Sequence, residues 1–204
     1  MKNKLIIALT LLWCTLSAAH AQTDSELLQQ KLAKVSTMQA DFSQQVISAQ
    51  GDLIQQSVGK LTIARPGNFY WQVTSPDEEL IVSNGVDMWL YSPFIEQVTI
   101  MNFSDAIAGT PFALLSGADA SEWQNFDVQQ KEGAFVVANK QNKVNANQFT
   151  FVFDKADHIS QFSVKEAQGQ TSTFTLSNNK TASNLSDDFF EFEIPAGIEI
   201  DDQR

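Results

Sequence analysis

The order of apolar and polar positions divides the chain into a short helical opening and a long run of strands. Leu27, Leu28, Leu32 and Val35 recur at helical spacing, and Thr23 and Glu26 stand ahead of them at capping-box spacing. One amphipathic helix is predicted up to Ser36, with an apolar stripe that must lie against something. After it the pattern becomes alternation. Phe42–Ser48, Val58–Arg65, Phe69–Thr74, Glu79–Ser83, Val86–Tyr91 and Glu96–Met101 read as strands. Asn84-Gly85 is the strongest hairpin signal among them, because both residue types tolerate positive φ.

Between Phe103 and Gly117 the alternation stops. Ser104 or Asp105 can cap a first helical turn. Thr110-Pro111 reads as a cap followed by proline at the first position of a second, which carries Phe112, Leu114 and Leu115. These apolar helices, flanked by Gly109 and Gly117 as hinges, are either a fixed cap on the core or a movable cover. Strands resume at Phe126–Gln130, Phe135–Asn139, Gln148–Phe153, Ile159–Lys165 and Thr171–Ser177, a spacing that predicts a meander. Phe149, Phe151 and Phe153 share one face, as do Phe174 and Leu176 on theirs. The tail from Asp188 sets Phe190, Phe192 and Ile194 out of phase with a helix, then turns at Pro195-Ala-Gly into a last short strand. No repeat, linker or charge block marks a second domain.

One cation stands at the end of an apolar row. Leu61, Ile63 and Arg65 share strand parity, so if the first two face an interior the guanidinium points towards its rim. Pro66, with its fixed φ and missing N–H, ends that strand, and Gly67-Asn68 completes a turn. The chain returns with Phe69, Trp71 and Val73 on one face. A solvated hairpin tip is the ordinary reading of such an arginine; the parity favours an inward one.

Charge and targeting narrow the picture. Lys2 and Lys4 precede an apolar run from Leu5 to Leu16, and Ser17-Ala18-Ala19-His20-Ala21 has small residues where a signal peptidase reads. Residues 1–21 are therefore expected to be a cleaved signal peptide and 22–204 one exported domain. The run is too short for a membrane span of about 20 residues. Cys14, the one cysteine, leaves with the leader. An exported domain without disulfides must rely on its core. Removing two lysines with the leader leaves 11 basic and 24 acidic residues, a formal charge of −13. That balance argues against nucleic acid or an anionic membrane surface as a partner.

Catalytic chemistry is not visible. His158, beside Asp157 in a turn, is the one histidine left after the leader, and without cysteine it makes neither a metal site nor a nucleophile–base pair. Glu78-Glu79, Asp187-Asp188 and Asp201-Asp202 are adjacent pairs, which point to opposite faces of a strand. No catalytic, cofactor-binding or metal-binding residue is assigned. The expected fold is mainly β: an antiparallel sheet long enough to curl, with helices over its open side. Such a sheet encloses either packed side chains or a space for an apolar ligand.

Several motifs together give the chain a resemblance to the LolA family. They are Lys34-Val35-Ser36, Phe42 with Gln44, Gly59-Lys-Leu, Arg65-Pro66 followed by Phe69 and Trp71, Pro76-Asp77-Glu78, Ser83 with Gly85, Trp89 to Pro93-Phe94, Glu96-Gln97, Thr110-Pro111-Phe112 and the Pro195-Ala-Gly-Ile-Glu-Ile ending. The resemblance implies an incomplete antiparallel β-barrel under a lid of short helices, with a hydrophobic cavity between. It implies that Arg65 latches the lid through backbone carbonyls, and that Phe69, Trp71, Trp89, Phe112 and Leu114 serve lipid binding and transfer. It further implies a monomeric periplasmic chaperone, without cofactor, that receives outer-membrane lipoproteins from the LolCDE transporter and passes them to the LolB receptor. Of the related classes, a LolB-like receptor needs an acylated cysteine that Gln22 cannot supply. An RseB-like sensor needs a second domain, and a general binder of apolar ligands is the remaining alternative.

Overall fold

The computed structural model describes residues 22–108, 110–117, 120–140, 147–182 and 185–204; the expected signal peptide and Gly109 lie outside them. In chain order the elements are α1 (Asp24–Ala33), β1 (Thr37–Ile47), β2 (Leu53–Ala64), β3 (Asn68–Ser75), β4 (Glu79–Asn84), β5 (Asp87–Ser92) and β6 (Gln97–Asn102). Then follow α2 (Phe103–Ile107), α3 (Pro111–Ser116), α4 (Ala120–Trp123), β7 (Phe126–Lys131), β8 (Ala134–Asn139), β9 (Gln148–Phe153), β10 (Ile159–Lys165), β11 (Thr171–Lys180) and β12 (Glu199–Asp202).

All twelve strands belong to one sheet, in the order β12-β6-β5-β4-β3-β2-β1-β11-β10-β9-β8-β7. It consists of two meanders, β2 to β6 and β7 to β11, which meet on either side of β1. The sheet curls without closing, since β7 and β12 are its two edges. The sheet is mixed rather than wholly antiparallel, because β12 runs parallel to β6. The tail after β11 crosses the outer face and reaches β6 travelling in its direction. Phe192, Ile194 and Ile198 pack there against Val82, Trp89, Val98 and Ile100.

Alternation sorts the two faces. Along β1, Met38, Ala40, Phe42 and Val46 are buried, with polar residues between them. Met38, Ala40 and Phe42 join Leu61, Ile63, Trp71, Phe149, Phe151, Phe162 and Phe174 in the main core on the concave face. Phe42 lies opposite Gly59, where a Cβ would sit 2.6 Å from its ring and 2.0 Å from the Gln72 carbonyl oxygen. The missing side chain lets the Phe42 ring stack on Trp71 with centroids 3.9 Å apart.

The first helix forms its capping box as expected. Thr23 Oγ1 accepts from the Glu26 amide, and Glu26 Oε2 accepts from the Thr23 amide. Leu28 and Leu32 are buried in the main core. The helix stops at Ala33, short of Ser36, because the Ser36 carbonyl is taken by the Arg65 amide at 2.8 Å and the chain enters β1. Three contacts tie α1 and its C-cap residue to the second meander: Asp24 Oδ2 accepts from the Gln130 amide at 2.8 Å, and Lys31 and Lys34 pair with Asp157.

The Asn84-Gly85 turn forms by another route than two positive φ angles. Only Gly85 adopts one, at 86°; the Asn84 side chain instead accepts from the amides of Val86 and Asp87 at 3.0 and 2.9 Å.

Candidate functional site

The chain leaves β2 at Ala64, and the next residues turn towards α3. Arg65 Nε donates to the Leu115 carbonyl at 2.8 Å and Nη2 to the Leu114 carbonyl at 3.0 Å. Two residues on, the Gly67 amide donates to the Ser116 carbonyl at 3.1 Å. The Ala113 carbonyl receives the Gly117 amide and the Ser116 hydroxyl. The four carbonyls that a helix leaves unpaired at its C-terminus thus all have donors, two of them from a cation placed where the helix dipole is negative. Gly117 ends the helix in the left-handed conformation, with a φ of 104°, against the Arg65 side chain. Burial lowers the Arg65 pKa to about 10, which leaves the guanidinium charged at neutral pH.

The other end of α3 begins where the sequence predicts. Thr110 takes the cap position with proline next to it, as expected, but its side chain makes no capping bond: the hydroxyl donates back to the Ile107 carbonyl at 2.7 Å. Neither Ser104 nor Asp105 caps α2, which begins at Phe103 with Asn102 in the cap position and no side-chain bond. The Phe103 amide goes to the Val86 carbonyl at 2.9 Å.

From α3 the Phe112 ring enters the concave face of the sheet. It stands edge-on to Phe69, Trp71 and Phe162, with centroids 5.3, 6.1 and 6.3 Å away. Trp71 meets Phe174 at 5.1 Å, and Phe162 stacks on Phe174 at 4.5 Å. Leu114, from the same helix, is fully buried. Phe69, Trp71, Phe112 and Leu114 are therefore one apolar assembly between sheet and helices, in which rings occupy the space where a cavity was expected.

Trp89 is not part of it. It pairs with Val82 and Ile100 on the outer face, under Phe192 and its neighbours, while Trp71 lies in the register row of Ile81 and Leu90 on the concave face. The alternation of β-strands puts the two tryptophans on opposite sides. The residues that the sequence did not single out are Phe162, whose ring meets Trp71 and Phe112, and Gly67, whose contribution is a backbone amide.

Among the described residues no group of histidine, cysteine or carboxylate side chains could hold a metal ion. His158 is exposed in the β9–β10 turn, where Asp154 accepts from the amides of Ala156 and His158. No helix among the described residues is long and apolar enough to cross a membrane.

A curled sheet whose aromatic concave face is covered by short helices, one of them capped by an arginine, is an architecture that gathers apolar surface under a cover. The family described as "Outer membrane lipoprotein carrier protein LolA" matches residues 33–193. An outer-membrane lipoprotein carrier protein of Psychromonas ingrahamii is 50% identical over 204 residues, covering 99% of this chain and 100% of that one. Its counterpart in Aeromonas salmonicida is 43% identical, with 100% of each chain covered. Among solved structures, a LolA superfamily protein from Nitrosomonas europaea aligns with a TM-score of 0.50 at 10% identity, over 84% of this chain and 99% of that one. An uncharacterised conserved protein from Thermus thermophilus aligns at 0.57 and 13%, over 89% and 100%. The chain belongs to the LolA family of outer-membrane lipoprotein carriers.

Proposed function

We propose that the mature chain is a periplasmic chaperone that accepts acylated lipoproteins at the inner membrane from LolCDE and delivers them, as a monomer, to LolB. Arg65 is the latch in this reading, and Phe69, Trp71, Phe112 and Leu114 are the surfaces that acyl chains meet. The observation that carries it is the placing of the Phe112 ring among Phe69, Trp71 and Phe162 on a helix whose last carbonyls are held by Arg65. Moving α3 withdraws its side chain from the aromatic face and frees that face for acyl chains.

Magnitudes explain why a cover should oppose its own cargo. Burial is worth about 0.8 kcal/mol per methylene, so one chain of about 14 methylenes contributes roughly 11 kcal/mol. Several such chains would exceed the practical ceiling of about 20 kcal/mol for non-covalent binding, and the carrier would not release. Charge-assisted hydrogen bonds of about 1.5–3 kcal/mol each favour the closed state and lower the apparent affinity. Family membership and a formal mature charge of −13, which disfavours lodging on anionic lipid, support the same reading.

The test is release of lipoprotein from spheroplasts. The purified mature protein is expected to bring newly made lipoprotein into the soluble fraction and then to lose it to LolB-bearing membranes. Failure to solubilise lipoprotein refutes the proposal.

A further inference from the structure

The apolar row on the concave face of β1 is interrupted once. Met38, Ala40, Phe42 and Val46 are buried apolar residues, and between the last two stands Gln44. Its neighbours in register are Phe174 on β11 and Ser57 on β2. Ser57 is only 4% exposed, and its hydroxyl donates to Gln44 Oε1 at 2.8 Å. The carboxamide oxygen of Gln44 is thereby used, and its nitrogen, a double donor, has no acceptor among the described residues.

This polar layer borders a recess of about 450 Å³ at the end of the concave face where the β1–β2 and β3–β4 turns lie. Gln44, Gln55, Val73 and Ser92 line it on the sheet side, and Pro76, Asp77, Glu78 and Glu79 at the rim. Val73 belongs to the main core and Gln44 pairs with Phe174, so the recess abuts the aromatic assembly. Passing outward along the face, the lining changes from aromatic rings to an amide donor and then to carboxylates.

We infer that this recess is the subsite for the carbonyl groups of the cargo's acyl linkages, an inference that rests on the carrier reading. Acyl chains joined to a protein N-terminus end in ester and amide carbonyls, which are uncharged acceptors, and the free Gln44 amide nitrogen is the matching donor. With the chains among Phe42, Trp71 and Phe174, the linkages reach Gln44 and the protein part leaves past the β3–β4 turn. The carboxylates at the rim accept from peptide N–H groups and repel a phosphate or a free fatty-acid carboxylate. The subsite therefore orients the cargo and distinguishes it from membrane phospholipid.

The experiment compares three probes on the full mature protein: a dipalmitoylated lipopeptide with ester linkages, its dialkyl ether analogue with chains of equal length, and dipalmitoyl phosphatidylglycerol. The wild-type protein is expected to bind the ester about three- to tenfold more tightly than the ether, and the phospholipid least. Gln44→Leu should abolish the ester preference while leaving ether binding unchanged; Gln44→Met is the second, unbranched version of the same test. Equal wild-type affinity for ester and ether overturns the subsite, as does an ester preference that survives both substitutions. Phospholipid bound as tightly as the lipopeptide overturns the role of the rim. Failure to bind any acylated probe overturns the carrier reading, and the subsite with it.

Discussion

Arg65 and Phe112 act on the same six-residue helix from different sides. The guanidinium holds the carbonyls of Leu114 and Leu115, and the Phe112 ring stands edge-on to Phe69 at 5.3 Å. Loosening either contact changes where α3 rests, and each has a different readout.

Arg65→Leu keeps the apolar row but removes two hydrogen bonds to helix carbonyls. The closed state should lose roughly 3 kcal/mol, about a hundredfold in population. Loading is expected to survive and unloading to fail, so lipoprotein accumulates on the variant. Arg65→Lys should fall in between, because an ammonium cannot reproduce the planar fork. The measurement is the ratio of lipoprotein accepted to lipoprotein passed on. Reduced acceptance with normal transfer per loaded molecule would place Arg65 in binding and refute the latch.

Phe69 is 7% exposed, so Phe69→Glu should abolish loading and lower the melting temperature together, since a carboxylate there is desolvated. Phe69→Leu separates the two effects. It keeps apolar volume and should melt within a few degrees of wild type, while loading falls because the flat ring is gone. Melting curves alongside lipopeptide binding decide it; a Phe69→Leu variant that loads normally removes Phe69 from the acyl surface.

For Trp89 the expectation is stability without function. Trp89→Ala should cost about 3–5 kcal/mol, as a large core truncation does, yet leave lipoprotein bound per folded molecule unchanged. Trp71→Ala, on the other face, should lose both. Urea denaturation paired with loading of the folded fraction separates the two tryptophans, and a loading defect in folded Trp89→Ala would contradict its place on the outer face.

Acid should loosen α1. Hydrogen bonds from Lys31 and Lys34 depress the Asp157 carboxyl to about 2, below its value in the unfolded chain of about 4. A depressed carboxylate contributes stability above the unfolded value and loses it as pH falls through the folded one, so the window is pH 4 to 2. Asp157→Asn should flatten the dependence of melting temperature on pH across that window, and 1 M salt should weaken the difference. Parallel curves for wild type and Asp157→Asn would show that the clamp is inert.

Much of the site could be read because strand parity is a strong constraint. Leu61 and Ile63 are both buried, and the side chain that follows them in parity is the one that reaches α3. The same rule, applied by counting register from Trp71 through β4 to β5, would have put Trp89 on the outer face. Other features leave no such trace. The Gly67 amide is a backbone donor, identical in every residue but proline. The pairing of α1 with Asp157 joins positions distant in sequence. The parallel seat of β12 depends on four residues and the route of a long tail.

Because β1 is the strand common to both meanders, the order in which the fold can be made is constrained. β1 pairs with β2 as soon as the first hairpin exists, but its other edge waits for β11, with Phe42 opposite Leu176. A chain emerging from its N-terminus carries that edge bare until almost all of it has appeared, and pairings so distant in sequence form slowly. Until then Phe42 and Val46 border an unpaired strand, the kind of surface on which incomplete chains associate. Molecules truncated before Thr171 should therefore aggregate even though β2 to β6 are intact, whereas the full-length chain should refold, at a rate set by the β1–β11 pairing.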